Sequence, residues 1–122
     1  MNILVVDDKQ DISNLVLTIL EMENHIVTVA DSGNEAIKTA ENNSYDIIIL
    51  DIMMDGLDGF ETLAKLKQYT QLSKTSFVAL TAKATSADEA DTLTRGFDFY
   101  LSKPFRSQNI LELIKKIQKT SE

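Results

Sequence analysis

The stretch YDIIILDIMMDG, residues 45–56, contains four consecutive aliphatic residues at 47–50 that follow neither a helical nor an alternating pattern. A short apolar run that ends in a glycine-containing turn is typical of a strand buried on both faces of a parallel sheet. This run ends in Asp51, and an ionised carboxylate there is costly to desolvate unless something binds it. A turn or a helix cap would explain Asp51 equally well if it stood alone, so its meaning depends on the other strand ends.

Composition limits the class of protein. The 122 residues, 43% of them hydrophobic, fit one domain over residues 1–122 with a single core. The net charge of -7 argues against a nucleic-acid partner, because phosphate contacts need clustered lysines and arginines. The sequence has no cysteine, no apolar stretch of bilayer length and no signal-peptide pattern. We therefore expect a soluble cytoplasmic protein that does not bind membranes.

Four further apolar runs predict strands, and helical stripes separate them. The strand candidates are residues 2–6, 26–30, 77–80 and 97–101, and the helical stripes cover about 11–20, 34–40, 60–69, 84–95 and 110–117. Ser32 with Glu35, and Ser86 with Glu89, have the spacing of capping boxes. The stripe at 84–95 has few large apolar residues, so we expect that helix to be weakly held.

The strict alternation of strands and helices predicts a parallel sheet with helices on both faces. In such a sheet, function gathers at the carboxyl ends of the strands. The groups that this rule brings to one edge are Asp7, Asp8, Asp51, Thr81 and Lys103.

These strand ends match a known pattern, through Asp7-Asp8, Asp51, the pair Thr81-Ala82 and Lys103-Pro104-Phe105. The chain resembles, over its whole length, the receiver domain of two-component response regulators. The resemblance implies a doubly wound, flavodoxin-like α/β fold with five parallel strands in the order 2-1-3-4-5 and five helices. It also implies a phosphoacceptor signalling protein rather than a turnover enzyme. A histidine kinase or histidine phosphotransfer protein would be the donor, and a downstream protein would bind the face formed by residues 84–122.

Elementary electrostatics supports a cation at this edge. Carboxylates 4 Å apart repel one another by about 4 kcal/mol per pair at an effective dielectric near 20, so a hard divalent cation is the natural counter-charge. Magnesium fits Asp7, Asp8 and Asp51 because it prefers oxygen ligands and retains water, and by resemblance the Met53 carbonyl joins them. Asp51 would then be the nucleophile that accepts the phosphoryl group, with the Lys103 ammonium neutralising the transferred oxygens.

Further roles follow from the chemistry of the site together with the resemblance. The Thr81 hydroxyl would bind a phosphoryl oxygen and, with Tyr100, form the switch that reports phosphorylation. Ala82 is small and would leave the site open. Met53 and Lys83 occupy the two variable positions that modulate the lifetime of the phosphorylated state. The peptide bond before Pro104 is expected to be cis, which would help to aim the Lys103 side chain.

Some of these residues also have ordinary structural explanations. Asp8 alone fits a helix cap, Thr81 a strand-end hydroxyl bound to backbone, and Lys103 a solvated cation. Asp55 stands where receivers usually have proline, which implies a looser loop and an extra negative charge beside the site. His25, the sole histidine, lies beside a predicted loop away from the acidic edge, so we expect the phosphoryl donor to be another protein.

Other classes of function compete with this interpretation. A haloacid-dehalogenase-type, magnesium-dependent phosphatase needs a second aspartate two residues after the nucleophile, where this chain has Met53. A flavodoxin-like electron carrier needs a Ser/Thr-rich phosphate loop after the first strand, where Asp7-Asp8-Lys9 would repel a flavin phosphate. A degenerate receiver that docks independently of phosphorylation is the remaining alternative. The chain ends just after its last helix, which suits a single-domain regulator or an excised receiver, and Met1 directly before the first strand favours an intact N-terminus.

Overall fold

The computed structural model describes residues 1–82 and 85–121, and in this part of the chain five strands alternate with five α-helices. The elements are β1 Asn2–Val6, α1 Gln10–Glu21, β2 Ile26–Ala30, α2 Gly33–Ala40, β3 Ile47–Asp51, α3 Gly59–Leu66, β4 Ser76–Thr81, α4 Ser86–Thr94, β5 Phe99–Ser102 and α5 Ser107–Ser121. A short 3-10 helix, Thr70–Leu72, precedes β4. None of the helices in the described part has the length and apolar character needed to cross a bilayer.

The strands form one parallel sheet in the order β2-β1-β3-β4-β5, which confirms the doubly wound prediction. The register aligns the carboxyl ends of neighbouring strands, with Val6 beside Leu50 and Thr81 beside Ser102. Since Asp7 follows Val6 and Asp51 follows Leu50, the two carboxylates reach the same edge of the sheet.

Strand β3 is central in the sheet and all five of its residues are buried. Ile48 and Leu50 belong to the core layer that includes Leu63 and Leu66 of α3. Ile47 and Ile49 belong to the opposite layer, which contains buried side chains of α1 and α5. Because helices cover both faces, the strand has no solvent-facing positions, which explains its unbroken apolar run.

Two predicted helix starts have different outcomes. Ser32 caps α2 as predicted, since its Oγ accepts a hydrogen bond from the Glu35 N–H at 3.0 Å. The predicted box of Ser86 and Glu89 is wrong, because Thr85 is the N-cap of α4 and its Oγ1 accepts from the Asp88 N–H at 3.1 Å. Thr85 and Ser86 both carry a hydroxyl group, so sequence spacing alone did not show which of the two caps α4.

Strand β5 starts two residues later than predicted, at Phe99. Gly96 has a positive φ of 117°, and this turn places Phe97 in the core, where it is 3% exposed. The Phe97 ring packs edge-on against Phe60, with centroids 5.8 Å apart. Thr92 is the buried residue of α4, which agrees with the expectation that few apolar side chains anchor this helix.

Gly59, at the start of α3, lies against the backbone that carries Asp51. A Cβ at this position would lie 2.6 Å from Ile52 Cα and 2.7 Å from the Asp51 carbonyl oxygen. The Gly59 N–H also donates to the Ile52 carbonyl at 2.9 Å. The close approach of α3 to the end of β3 therefore depends on the absence of a side chain here.

We predict that Gly59→Ala lowers the free energy of unfolding by about 1 to 3 kcal/mol, the usual cost of overpacking a tight contact. Helix propensity alone predicts the opposite sign, a gain of about 1 kcal/mol for alanine over glycine. Urea unfolding of the two proteins measures the difference, and a more stable Gly59→Ala protein would contradict the packing argument.

Candidate functional site

Three carboxylates meet at the carboxyl edge of the sheet. One oxygen from each of Asp7, Asp8 and Asp51 lies within 4.8 Å of the others. Asp7 and Asp51 are 0% and 1% exposed, whereas Asp8 faces solvent. The cluster thus has a buried floor and an open mouth.

Lys103 brings a cation to this cluster from the loop after β5. Its Nζ donates to Asp7 Oδ2 at 3.1 Å and lies 3.5 Å from Asp51 Oδ2. Its side chain is 14% exposed, so the explanation of Lys103 as a solvated cation is wrong. The Lys103 N–H donates to the Thr81 carbonyl at 2.7 Å, and the Lys103–Pro104 peptide is cis, as the resemblance implied.

The two oxygens of Asp51 have different surroundings. Oδ1 accepts a hydrogen bond from the Met53 N–H at 3.1 Å. Oδ2 is buried and has no hydrogen-bond partner among the described residues. Burial and the nearby Asp7 charge raise the pKa of Asp51 to about 6, although Lys103 and the Met53 N–H act in the opposite direction. The described part of the site therefore holds too little positive charge for its carboxylates.

Asp8 does not cap α1. The N-cap of that helix is Lys9, which makes no side-chain capping bond, and the Lys9 N–H donates to Asp7 Oδ1 at 2.9 Å. Asp8 Oδ2 instead accepts from the Asp55 N–H at 3.3 Å, across the mouth of the cluster. The exposed Asp55 side chain lies in this loop, at the position where the chain departs from the proline of the family pattern.

The oxygen cluster suits a hard divalent cation that keeps part of its water shell. The three carboxylates supply one oxygen each, and the exposed Asp8 leaves room for water. The Met53 N–H donates a hydrogen bond to Asp51 Oδ1, which places the Met53 backbone beside the Asp51 carboxylate. The donor set therefore fits Mg²⁺.

The remaining predicted residues surround this cluster. Thr81 ends β4 and is buried, and the neighbouring Ala82 is exposed. Tyr100 is half-buried on β5, two residues before the partner of Thr81 in the sheet, and its hydroxyl has no hydrogen-bond partner among the described residues. Burial and the charges of Asp88 and Glu89 raise the pKa of Tyr100. Lys83 lies outside the described residues.

His25 is at the opposite end of the sheet from the carboxylates. Its Nδ1 lies 3.2 Å from the amino group of Met1, at the start of β1. Burial and this amino group lower the pKa of His25. Its predicted separation from the acidic edge is confirmed.

Sequence reasoning missed the part that Gly59 plays in positioning Asp51. The pair Asp58-Gly59 predicted only a turn, whereas Asp58 caps α3 in a capping box with Glu61 and Gly59 packs on the end of β3. The spacing of Asp58 and Glu61 was the available signal for the cap. The close contact of Gly59 with β3 has no local signal, since it depends on the packing of α3.

The fold is a doubly wound α/β sheet, and its carboxyl edge combines a cluster of carboxylates with a lysine. The model of the response regulator receiver domain family matches residues 3–115. The chain therefore belongs to the response regulator receiver domain family. Its role is that of a phosphoacceptor in two-component signalling, and the family is one of signalling proteins rather than turnover enzymes.

Curated relatives support the same family. Transcriptional regulatory protein ResD of Bacillus subtilis (strain 168) is 36% identical over 115 residues, which cover 94% of this chain and 47% of that protein. Response regulator SaeR of Staphylococcus aureus (strain USA300) is 38% identical over 122 residues, with 94% of this chain and 52% of SaeR covered. The chain thus spans about half the length of these relatives.

Solved structures share the fold. Chemotaxis response regulator CheY4 of Vibrio cholerae has a TM-score of 0.89 at 27% identity, covering 95% of this chain and 97% of that chain. The receiver domain of Francisella response regulator 1452 also has a TM-score of 0.89, at 30% identity, with 99% and 98% covered. Both likenesses extend over nearly the whole chain.

We predict that Asp51→Asn stabilises the metal-free protein at neutral pH. The pKa of Asp51 rises from 3.8 to about 6 on folding, so the folded state binds the proton more tightly and loses stability as pH rises through this range. Removing the carboxylate should therefore raise the free energy of unfolding by roughly 2 to 3 kcal/mol above pH 7, and by less at pH 5.

Urea unfolding in the presence of a chelator, from pH 5 to pH 8, measures this gain. The exposed Asp11→Asn on α1 is the matched control and should show no such pH-dependent gain. A gain that stayed constant across this range, or no gain at all, would show that burial does not penalise the Asp51 charge.

Proposed function

We propose that Asp51 is the phosphoacceptor, and that a phosphohistidine of a histidine kinase or histidine phosphotransfer protein is the donor. The observation that carries this proposal is the buried Asp51 Oδ2, which has no hydrogen-bond donor among the described residues and lies 3.5 Å from Lys103 Nζ. A nucleophilic oxygen next to a fixed ammonium is the arrangement that phosphoryl transfer requires.

Each of the residues around Asp51 would have a separate role in phosphoryl transfer. The Met53 N–H holds Asp51 Oδ1, which leaves Oδ2 to attack phosphorus. A bond forms between this oxygen and phosphorus while the bond to the donor imidazole breaks, and the imidazole nitrogen keeps that electron pair. Lys103 neutralises charge on the transferred oxygens. Thr81, at the next strand end, provides a hydroxyl for one of them.

We assign the metal ligands to Asp7, Asp8, Asp51 and the Met53 carbonyl. When bound, Mg²⁺ would supply the positive charge that the carboxylates and the phosphoryl oxygens together require. Ala82 and Met53 would control access to the site, since both are exposed and Met53 is 57% exposed at the mouth. The same role for Lys83 rests on the resemblance alone.

The output face would be built from α4, β5 and α5, within residues 84–122. Phosphorylation adds roughly two negative charges at Asp51, and a Thr81 hydroxyl drawn toward them would leave room for Tyr100. A cavity of about 460 Å³ beside Tyr100 is lined by Glu89 of α4 and Lys116 of α5. Since α4 is little buried, small differences in binding free energy would shift its position.

The donor acts in trans in this proposal, because His25 lies at the far end of the sheet. We place the protein in the cytoplasm and treat residues 1–122 as one receiver domain, as family membership supports. A docking module that works without phosphorylation would have no need for the close Lys103 contacts at Asp7 and Asp51.

The acceptor is tested by incubating the protein with Mg²⁺ and acetyl phosphate and measuring its intact mass. We expect one hydroxylamine-labile phosphoryl group on the wild type and on the matched control Asp11→Asn, and none on Asp51→Asn. Labelling of Asp51→Asn at the wild-type rate would rule out Asp51 as the acceptor.

The metal ligands are tested through stability. A cation that binds only the folded state stabilises it by about 2.7 kcal/mol at a hundred times its dissociation constant. We predict that Mg²⁺ raises the melting temperature of the wild type and of Asp11→Ala, and that Asp8→Ala loses most of this rise. An unchanged response in Asp8→Ala would remove Asp8 from the ligand set.

The output face is tested by amide hydrogen exchange with and without beryllofluoride, which stands in for the phosphoryl group. We expect the largest changes at residues 82–105, and a smaller response in Thr81→Ala because the hydroxyl that couples Asp51 to Tyr100 is missing. Changes confined to residues 51–58 would instead place the output in the Asp55 loop.

A further inference from the structure

A second acidic feature lies outside the carboxylate cluster. A groove of about 490 Å³ runs between the segment after β3 and helix α4. Thr81 is among its lining residues, and Met53, Met54 and Phe60 give it apolar surface. This volume lies within the range of pockets that hold ligands or anchoring side chains of a partner.

Four carboxylates that take no part in the proposed metal site also line this groove: Asp55, Asp58, Asp88 and Asp91. Asp58 accepts from the Glu61 N–H, and Asp88 from the Thr85 hydroxyl. Among the described residues, none of Asp55, Asp58 and Asp88 forms a salt bridge. The groove is therefore lined by both apolar side chains and carboxylates.

Arg95 shows which kind of cation this wall accepts. Its guanidinium carbon lies 3.5 Å from the centre of the Phe60 ring, and its Nη1 lies 3.9 Å from Asp91 Oδ2. A planar guanidinium stacks on an aromatic face while its edge reaches a carboxylate, which an ammonium does less well. Among the described residues that line the groove, Arg95 is the one cation against four carboxylates, so acceptors remain for a second guanidinium.

We propose that this groove binds an arginine-containing segment of a partner protein. The guanidinium would lie among Asp55, Asp88 and Asp91, and an apolar neighbour in the segment would pack on Met53 and Met54. Charge complementarity favours this occupant over a metal ion, because these carboxylates do not form a tight cluster like that of Asp7, Asp8 and Asp51. Binding here needs neither a phosphoryl group nor a metal, so it does not rest on the proposed function.

The test uses three synthetic peptides of the form acetyl-Gly-Leu-X-Leu-Gly-amide, in which X is arginine, lysine or citrulline. Citrulline has the shape of arginine without its charge. Each peptide is titrated into metal-free, ¹⁵N-labelled wild-type protein and followed by amide chemical shifts. We expect saturable shifts at residues 53–60 and 86–95 with the arginine peptide, weaker binding of the lysine peptide, and no such shifts with the citrulline peptide.

Replacing carboxylates of the groove by amides should weaken binding of the arginine peptide. We expect the double substitution Asp55→Asn/Asp91→Asn to lower the affinity for the arginine peptide by about fivefold or more. This is the size expected for the loss of two partly exposed charge contacts. The control Asp11→Asn/Glu23→Gln removes the same charge from exposed positions elsewhere and should bind like the wild type. Melting temperatures of both variants verify that they are folded.

Removing the resident cation should strengthen binding. Arg95→Ala frees the Phe60 face and Asp91, so we expect the arginine peptide to bind several-fold more tightly. Arg106→Ala makes the same charge change at an exposed position outside the groove and should have no effect. Arg95→Gln serves the same purpose if the alanine variant fails to fold.

Three results would overturn the proposal. Equal weakening in the Asp11→Asn/Glu23→Gln control would show general attraction to an acidic protein. Binding of the lysine peptide as tightly as the arginine peptide would show a site for any small cation. Absence of saturable shifts at residues 53–60 would show that the groove does not bind the segment.

Discussion

An electrostatic imbalance at the carboxyl edge of the sheet sets the chemistry of this protein. Asp7, Asp8 and Asp51 lie within 4.8 Å of one another, and Lys103 is the cation that contacts two of them among the described residues. Burial of Asp51, together with the charge of Asp7, raises the pKa of Asp51 to about 6. The fold thus holds the Asp51 carboxylate where its negative charge is unfavourable.

The rest of the architecture keeps that carboxylate in place. Strand β3 is buried between two apolar layers, so its end has little freedom to move away from the neighbouring Asp7. Gly59 lets α3 approach the Asp51 backbone, and the Met53 N–H fixes one carboxylate oxygen. Lys103 is held through its own N–H by the Thr81 carbonyl. Core packing therefore keeps the carboxylates close together although their charges repel one another.

Much of this was predictable from the sequence because it depends on buried strands and on the residues directly after each strand. The apolar run before Asp51 and the alternation of elements predicted the parallel sheet, and the strand-end rule brought Lys103 to the carboxylates. The strand order came from the family resemblance alone. The errors are local or arise from packing. Thr85 rather than Ser86 caps α4, since adjacent hydroxyl residues are equivalent in spacing. Phe97 joined the core instead of β5 because Gly96 turns the chain. The stacking of Arg95 on Phe60 joins α4 to α3, and no periodicity indicates such a contact.

The most direct test is an NMR titration of the Asp51 side-chain carboxyl carbon in metal-free protein and in the presence of Mg²⁺, with Asp51→Asn used to assign the signal. The account predicts that Asp51 titrates with a pKa of about 6 without metal, and that Mg²⁺ lowers this pKa because the cation favours the charged form. An Asp51 that titrates at or below its ordinary value of 3.8 without metal, or whose titration Mg²⁺ leaves unchanged, would contradict it.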